Sequence, residues 1–180
     1  MAAYFEGKYW SSPMRRLCFL LLLTALAIPA SALGARGAPG DGSFVISRAN
    51  GAIVVQGKGL IYGHFDRGTL TVIDYTPDDI LVPSVSGAKK PRLVPGSLDV
   101  VYAGGDVRFL FPSGKYTLRI EGFGIDISAV GKGIAQVAGS GSFDDGTFSV
   151  NGGKGVDIGL RPMWTGFGPG EKVGGGGKGL

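Results

Sequence analysis

The chain has few of the side chains that catalytic and metal sites usually need. It contains one cysteine, Cys18, and one histidine, His64, and only 18% of its 180 residues are charged. One cysteine forms no disulfide within the chain, and one histidine with one distant cysteine is a poor ligand set for zinc. His64 would also have to serve any Ser-His-Asp or Cys-His catalytic group. We therefore expect no catalytic group and no metal site.

Glycine, by contrast, is abundant, with 34 residues, nearly three times the usual share of about 7%. An interior glycine costs a helix about 0.8–1 kcal/mol, so this composition excludes a helix bundle. The glycines keep no three-residue period, which excludes a collagen helix. Hydrophobic residues still make up 44% of the chain, enough to favour a folded core over disorder. The composition predicts a small β-rich globular domain.

The N-terminal segment has the layout of a secretory signal peptide. Arg15 and Arg16 precede an uninterrupted apolar run at residues 17–28, and the small residues Ala30-Ser31-Ala32 follow it. The run has 12 residues, short of the ~20 that span a bilayer. We expect a signal helix that is cleaved after Ala32, which leaves no membrane span in the mature chain. The protein is then secreted, periplasmic or at the cell surface.

The predicted cleavage site and the composition of the rest of the sequence divide the chain into four parts. Residues 1–13 are either an extended N-region of the signal or lie upstream of a true start at Met14. Removal of the signal takes away three basic residues and one acidic residue, so the net charge falls from +4 to +2. The predicted parts are a signal peptide at 1–32, a flexible linker at 33–42, a single all-β domain at 43–165 and a Gly-rich disordered tail at 166–180.

From Ser43 onward, short apolar runs are bounded by Gly, Pro, Asp and Asn, as is typical of β proteins. Tyr116, Leu118 and Ile120 alternate with polar residues, which indicates one buried and one solvated face. The same pattern in the preceding strand predicts a hairpin that sets Phe111 against Tyr116. We expect an all-β fold, an antiparallel β-sandwich or small barrel of about 8–11 short Gly-punctuated strands.

Several short motifs carry turn chemistry. Asn50-Gly51 is a typical two-residue hairpin signal. Phe-Asp-x-Gly-Thr occurs at 65–69 and 143–147, which reflects either a duplicated β unit or one turn chemistry used twice. Gly-Lys-Gly occurs at 57–59 and 131–133. It lacks the spacing of a phosphate loop and no helix follows it, so we expect strand kinks there and no cofactor.

Two groups of residues are candidates for contact with a partner. The first group is Lys89, Lys90 and Arg92, in a basic segment at 84–96 that is predicted to be an exposed loop. These three side chains would attract an anionic polymer with an affinity that salt weakens. The second is Trp164 with Phe167, an aromatic surface for a sugar or a protein. The ordinary alternatives are solvated charges and core packing. No basic stripe with interleaved aromatics is present, so nucleic acid is not an expected partner.

These observations predict an exported, non-catalytic β domain that binds or structurally supports a cell-envelope polymer or protein. One alternative is a carboxylate-dependent hydrolase acting on carbohydrate, which needs two acids about 5–9.5 Å apart across a sugar. Another is an envelope subunit that associates with itself through exposed strand edges.

Overall fold

A computed structural model describes residues 41–76 and 81–169, all within the compact unit Gly37–Leu180. The predicted signal peptide lies outside the described residues. The described part is mostly antiparallel β-sheet without helix, which confirms the all-β prediction, and it holds no helix that is long and apolar enough to cross a membrane. Its strands are β1 (Gly42–Asp74), β2 (Ser84–Ala88), β3 (Arg92–Leu93), β4 (Val100–Phe111), β5 (Lys115–Gly139), β6 (Thr147–Val150), β7 (Val156–Asp157) and β8 (Met163–Phe167).

Two of these strands are far longer than the short elements predicted from the glycine spacing. β1 has 33 residues and β5 has 25. Glycine bends these strands and does not end them. Gly59 and Gly131 pair with each other at one bend, with φ of +140° and +146°. A Cβ at either would lie 2.2 Å from a carbonyl oxygen of the facing strand, so only glycine lets the two strands approach this closely.

The bends let β1 and β5 change neighbours along their length. Residues 51–58 of β1 lie between residues 115–122 and 132–139 of β5. Residues 61–72 of β1 instead pair with β4 as well as with β5. The order of the main sheet is β2-β4-β1-β5-β8, and β6 and β7 extend it from β1. The sheet is folded at its glycine bends, and its strands point one face into a common hydrophobic core.

The core is built mainly from aromatic and β-branched or leucine side chains on alternate strand positions, as the period of a strand requires. The Phe44 ring stacks on Phe167 with centroids 5.8 Å apart, and Phe111 meets Tyr116 at 4.9 Å. The largest fully buried side chains are Tyr116, Phe44, Phe65, Phe111, Phe167, Ile46, Ile53, Ile61, Leu70, Leu118, Ile120 and Ile125.

The predicted hairpin between β4 and β5 is wrong. Phe111 pairs with Ile61 of β1, and β1 separates β4 from β5 in the sheet. Phe111 and Tyr116 do meet, but as rings in the core. The alternating pattern identifies the buried face of a strand and does not identify its neighbour. The predicted turn at Asn50-Gly51 is also absent, because β1 continues through it with a bend.

The two Phe-Asp-x-Gly-Thr copies differ in structure. Phe65 is fully buried at a bend of β1, whereas Phe143 is fully exposed in the loop between β5 and β6. The two copies are therefore not structurally equivalent: residues 65–69 lie within the continuous strand β1, whereas residues 143–146 lie in a loop. The two Gly-Lys-Gly copies, in contrast, face each other across one bend, with Lys58 opposite Lys132.

The borders of the domain differ slightly from those predicted. β1 begins at Gly42, and β8 ends at Phe167, beyond the predicted start of the tail. The segment at 84–96 contains two short strands, β2 and β3, that pair with β4. The rest of the predicted tail, from residue 170, lies outside the described residues.

Candidate functional site

One open trough on the outer face of the sheet contains the only histidine of the chain. Tyr62 and His64 project from alternate positions of β1, Asp126 and Ser128 from β5, and Arg108 from β4. The register sets His64 between Arg108 and Asp126, and Tyr62 beside Ser128. These side chains line a trough of about 640 Å³, which we call the His64 trough. Regular strands, rather than loops, hold all five side chains in place.

Each ring nitrogen of His64 faces a carboxylate. Nδ1 lies 3.5 Å from Asp126 Oδ2, and Nε2 lies 3.7 Å from Asp66 Oδ1. The His64 side chain is 37% exposed, so water and a ligand both reach the ring. A protonated imidazolium would be attracted to both acids, whereas a neutral ring can donate one hydrogen bond and accept one. The trough thus offers a ligand hydrogen-bond donors and acceptors, among them a positive and a negative side chain, Arg108 and Asp126.

A β-bulge positions Asp126. The register between β1 and β5 shifts between Ile46 and Ala49, and Arg48 within this interval has φ of +50°. This left-handed backbone costs a non-glycine residue about 1–3 kcal/mol. The Arg48 N–H donates to Asp126 Oδ1 at 2.9 Å, which offsets part of that cost. The same contact orients the Asp126 carboxylate, so its other oxygen faces His64.

A second hollow of about 460 Å³ continues from His64 and is lined by Asp66, Asp126 and Asp144. We call it the acidic hollow. Asn50 closes one side: its Nδ2 donates to the Asp144 carbonyl at 2.9 Å, and its Oδ1 accepts from the Gly124 N–H at 3.0 Å. Within residues 41–76 and 81–169, no three His, Cys, Asp or Glu side chains form a group that could hold a metal ion.

The structure places the first predicted contact group at the edge of the sheet. Lys89, Lys90 and Arg92 are all exposed on the segment that carries β2 and β3. The Lys89 N–H donates to the Ala103 carbonyl at 2.9 Å, which ties this segment to β4. None of the three side chains lines the His64 trough or the acidic hollow.

The second predicted contact group does not form one aromatic surface. Trp164 is 55% exposed, but Phe167 is 1% exposed and stacks on Phe44 in the core. The physical reason is their odd spacing, because residues three apart on a strand point to opposite faces. Trp164 alone remains available on the surface.

The sequence matches no family model, no curated protein and no solved structure. The interpretation of the site therefore depends on its geometry. The His64 trough leaves little trace in the sequence, because Asp126 and Arg108 come from strands far from His64 along the chain. The only local signal is Asp66, two positions after His64.

Proposed function

We propose that this protein is a non-catalytic binding domain that works outside the cytoplasm, at the cell envelope or in the medium, with the His64 trough as its ligand site. The observation that supports this proposal is the set of outward polar and aromatic side chains in a single trough. Tyrosine supplies a flat apolar ring with a hydroxyl, and histidine, arginine and aspartate supply planar hydrogen-bonding groups. Sugars present hydroxyls beside apolar C–H faces, so a carbohydrate of the envelope matches this combination.

The exposure of the site favours binding over catalysis. Catalytic acids and bases act best in partly dehydrated sites, but the Asp66 side chain is 73% exposed. An open trough instead suits an extended ligand that makes several modest contacts at once. We further propose that the folded sheet is a β-sandwich, since β1 and β5 change neighbours at each bend while their inner faces share one core.

The test is retention of the purified protein on insoluble cellulose, chitin and peptidoglycan. Tyr62→Ala and Arg108→Ala should each lower the affinity about tenfold, which corresponds to a loss of about 1.4 kcal/mol. Arg119→Ala is the matched control, because Arg119 is an exposed arginine of β5 outside the trough. Equal binding by all three variants and the wild type, or no retention of the wild type on any of these polymers, would contradict the proposal.

A second candidate function is supported by the acidic hollow. Glycoside hydrolases use a pair of carboxylates that flank the scissile bond, and the acidic hollow is lined by the three carboxylates of Asp66, Asp126 and Asp144. This candidate predicts release of reducing ends from a soluble polysaccharide, and loss of that release in Asp126→Asn or Asp66→Asn with binding retained. Such a result would replace the binding proposal with a carboxylate-dependent hydrolase.

A further inference from the structure

Three lysines stand side by side on neighbouring strands at one end of the sheet. Lys58 of β1 lies directly opposite Lys115 and also opposite Lys132, both of β5. All three side chains are exposed. Adjacent strands lie about 4.8 Å apart, so the three side chains start from a line about 10 Å long. We call this set the lysine row.

Like charges directly opposite each other destabilise a sheet, and the described residues supply little compensation. Within residues 41–76 and 81–169, the ion pairs are those of His64 with Asp66 and Asp126, and of Arg108 with Asp106; none includes a member of the lysine row. Lys115 Nζ lies 5.4 Å from the centroid of the Tyr75 ring, a contact that holds the ammonium group without neutralising it. Among the described residues, this arrangement of like charges opposes local stability, and such arrangements are typical of functional sites.

The lysine row borders a groove of about 340 Å³, together with Gln56 and Ile134. The groove shares no lining residue with the His64 trough. Beneath it, Gly57 and Gly133 pack close to the Phe167 ring, and a Cβ at Gly133 would lie 2.9 Å from Phe167 Cζ. A Cβ at Gly57 or Gly133 would therefore point towards Phe167 in the core, whereas the side chains of Lys58 and Lys132 face the groove.

We propose that the lysine row binds a linear anionic polysaccharide through its carboxylate or other acidic groups. A line of charges across three strand segments, one of β1 and two of β5, matches a polymer with repeated negative groups better than it matches a single ion. Tyr75, whose ring contacts Lys115, is not among the residues that line the groove, and the lining has no aromatic ring, which disfavours the stacking of successive bases that single-stranded nucleic acid uses. Its exposed apolar side chains are Ile134 and Pro169, which offer little apolar surface for insertion into a membrane. Lysine suits such a ligand as a flexible point charge.

The test compares two triple variants that remove the same charge. Lys58→Gln/Lys115→Gln/Lys132→Gln changes the lysine row, and Lys89→Gln/Lys90→Gln/Arg92→Gln changes the exposed basic segment. The probe is polygalacturonate, a linear polymer with one carboxylate per sugar. We expect the lysine-row variant to bind at least about tenfold more weakly than the wild type, and the control variant within about twofold, since local charge contacts dominate over net charge at moderate salt.

The lysine-row variant should unfold at the same temperature as the wild type or higher, because the change removes like-charge repulsion. The unfolding temperature therefore distinguishes a loss of binding from a loss of folding. An unchanged affinity in this variant, or an equal loss in both variants, would overturn the proposal. Tighter binding to double-stranded DNA or to phosphatidylglycerol vesicles than to polygalacturonate would overturn the assignment of the ligand. Tyr62→Ala should still bind polygalacturonate, so the two proposed sites can fail independently.

Discussion

The side chain of Asp145 organises the loop that joins β5 to β6, and its replacement tests how that loop is held. Oδ1 accepts hydrogen bonds from the Ser140 hydroxyl at 2.8 Å and from the Ser142 N–H at 3.2 Å, and Oδ2 accepts from the Gly141 N–H at 2.9 Å. Asp145 is 7% exposed. The buried carboxylate therefore accepts from donors on three consecutive residues, Ser140, Gly141 and Ser142, which are themselves exposed.

Two opposing effects act on the pKa of Asp145. Burial raises the pKa of this carboxyl, because it disfavours the charged form. The hydrogen bonds from the Ser140 hydroxyl and from the neighbouring backbone N–H groups lower the pKa and outweigh burial, so it lies below the ordinary value of 3.8. The ionised form is consequently the one that stabilises the folded loop.

Asp145→Asn keeps the shape of the side chain but removes its charge and one of its two acceptor atoms. The new NH₂ group must face either the Gly141 N–H or the donors on Ser140 and Ser142. At least one hydrogen bond to a charged group is lost, worth about 1.5–3 kcal/mol, and a donor is left facing a donor. We expect the free energy of unfolding to fall by about 2–3 kcal/mol.

Asp144→Asn is the matched control, because Asp144 is the exposed neighbour and its carboxylate accepts one hydrogen bond, from the Gly146 N–H at 2.9 Å. This change should lower the free energy of unfolding by about 0.5–1 kcal/mol. Urea unfolding followed by tryptophan fluorescence measures both variants. If Asp145→Asn is no less stable than Asp144→Asn, the buried hydrogen bonds do not hold the loop, and the reasoning above is wrong.

Three further predictions concern pH, a bend and the core. Because the folded-state pKa of Asp145 is lowered, the contribution of this carboxylate to stability is complete above the pKa of the unfolded state. It is lost as the pH falls through the folded-state pKa. The midpoint of urea unfolding, measured from pH 7 to pH 2, should therefore fall less steeply in Asp145→Asn than in the wild type. Gly59→Ala should lower the free energy of unfolding by more than about 2 kcal/mol. Gly96 also has a positive φ but has no atom within 4 Å of an added Cβ, so Gly96→Ala should lower it by about 1 kcal/mol, from backbone strain alone. Equal losses would rule out the close approach of the strands as the reason for glycine at position 59. In thermal unfolding, Phe167→Ala should lower the free energy of unfolding by about 3–5 kcal/mol and Trp164→Ala by less than about 1 kcal/mol. A small effect at Phe167 would show that β8 is not part of the core.

The buried faces of the strands could be predicted from the sequence. Tyr116, Leu118 and Ile120 are all buried, and Arg119 between them is exposed, because alternation in a strand has a fixed period of two. Thr117 is an exception, since the same pattern assigns it to water but it is 6% exposed. Its hydroxyl lies 3.4 Å from the hydroxyl of Tyr75, whose ring covers this part of the outer face. Such coverage depends on tertiary packing and leaves no local signal.

The ends of the strands and their neighbours could not be predicted, because glycine has two uses that look alike in a sequence. At a turn, glycine permits a positive φ and the chain reverses. At Gly59, it permits a positive φ while the chain continues to pair on both sides of the bend. The His64 trough was missed for a related reason, since Asp126 comes beside His64 only through the register of β1 with β5.

The Gly-Lys-Gly repeat shows how far the fold alone explains the lysine row. Two identical triplets that face each other in antiparallel register set their central residues opposite each other, so the repeat itself brings Lys58 to Lys132. The glycines are required by close packing at the bend, but no contact requires that the outward residue between them be lysine. Lys115 belongs to no such triplet and still stands in the same row. The repeated motif therefore accounts for two of the lysines and not for the third, whereas the anionic ligand that we propose accounts for all three.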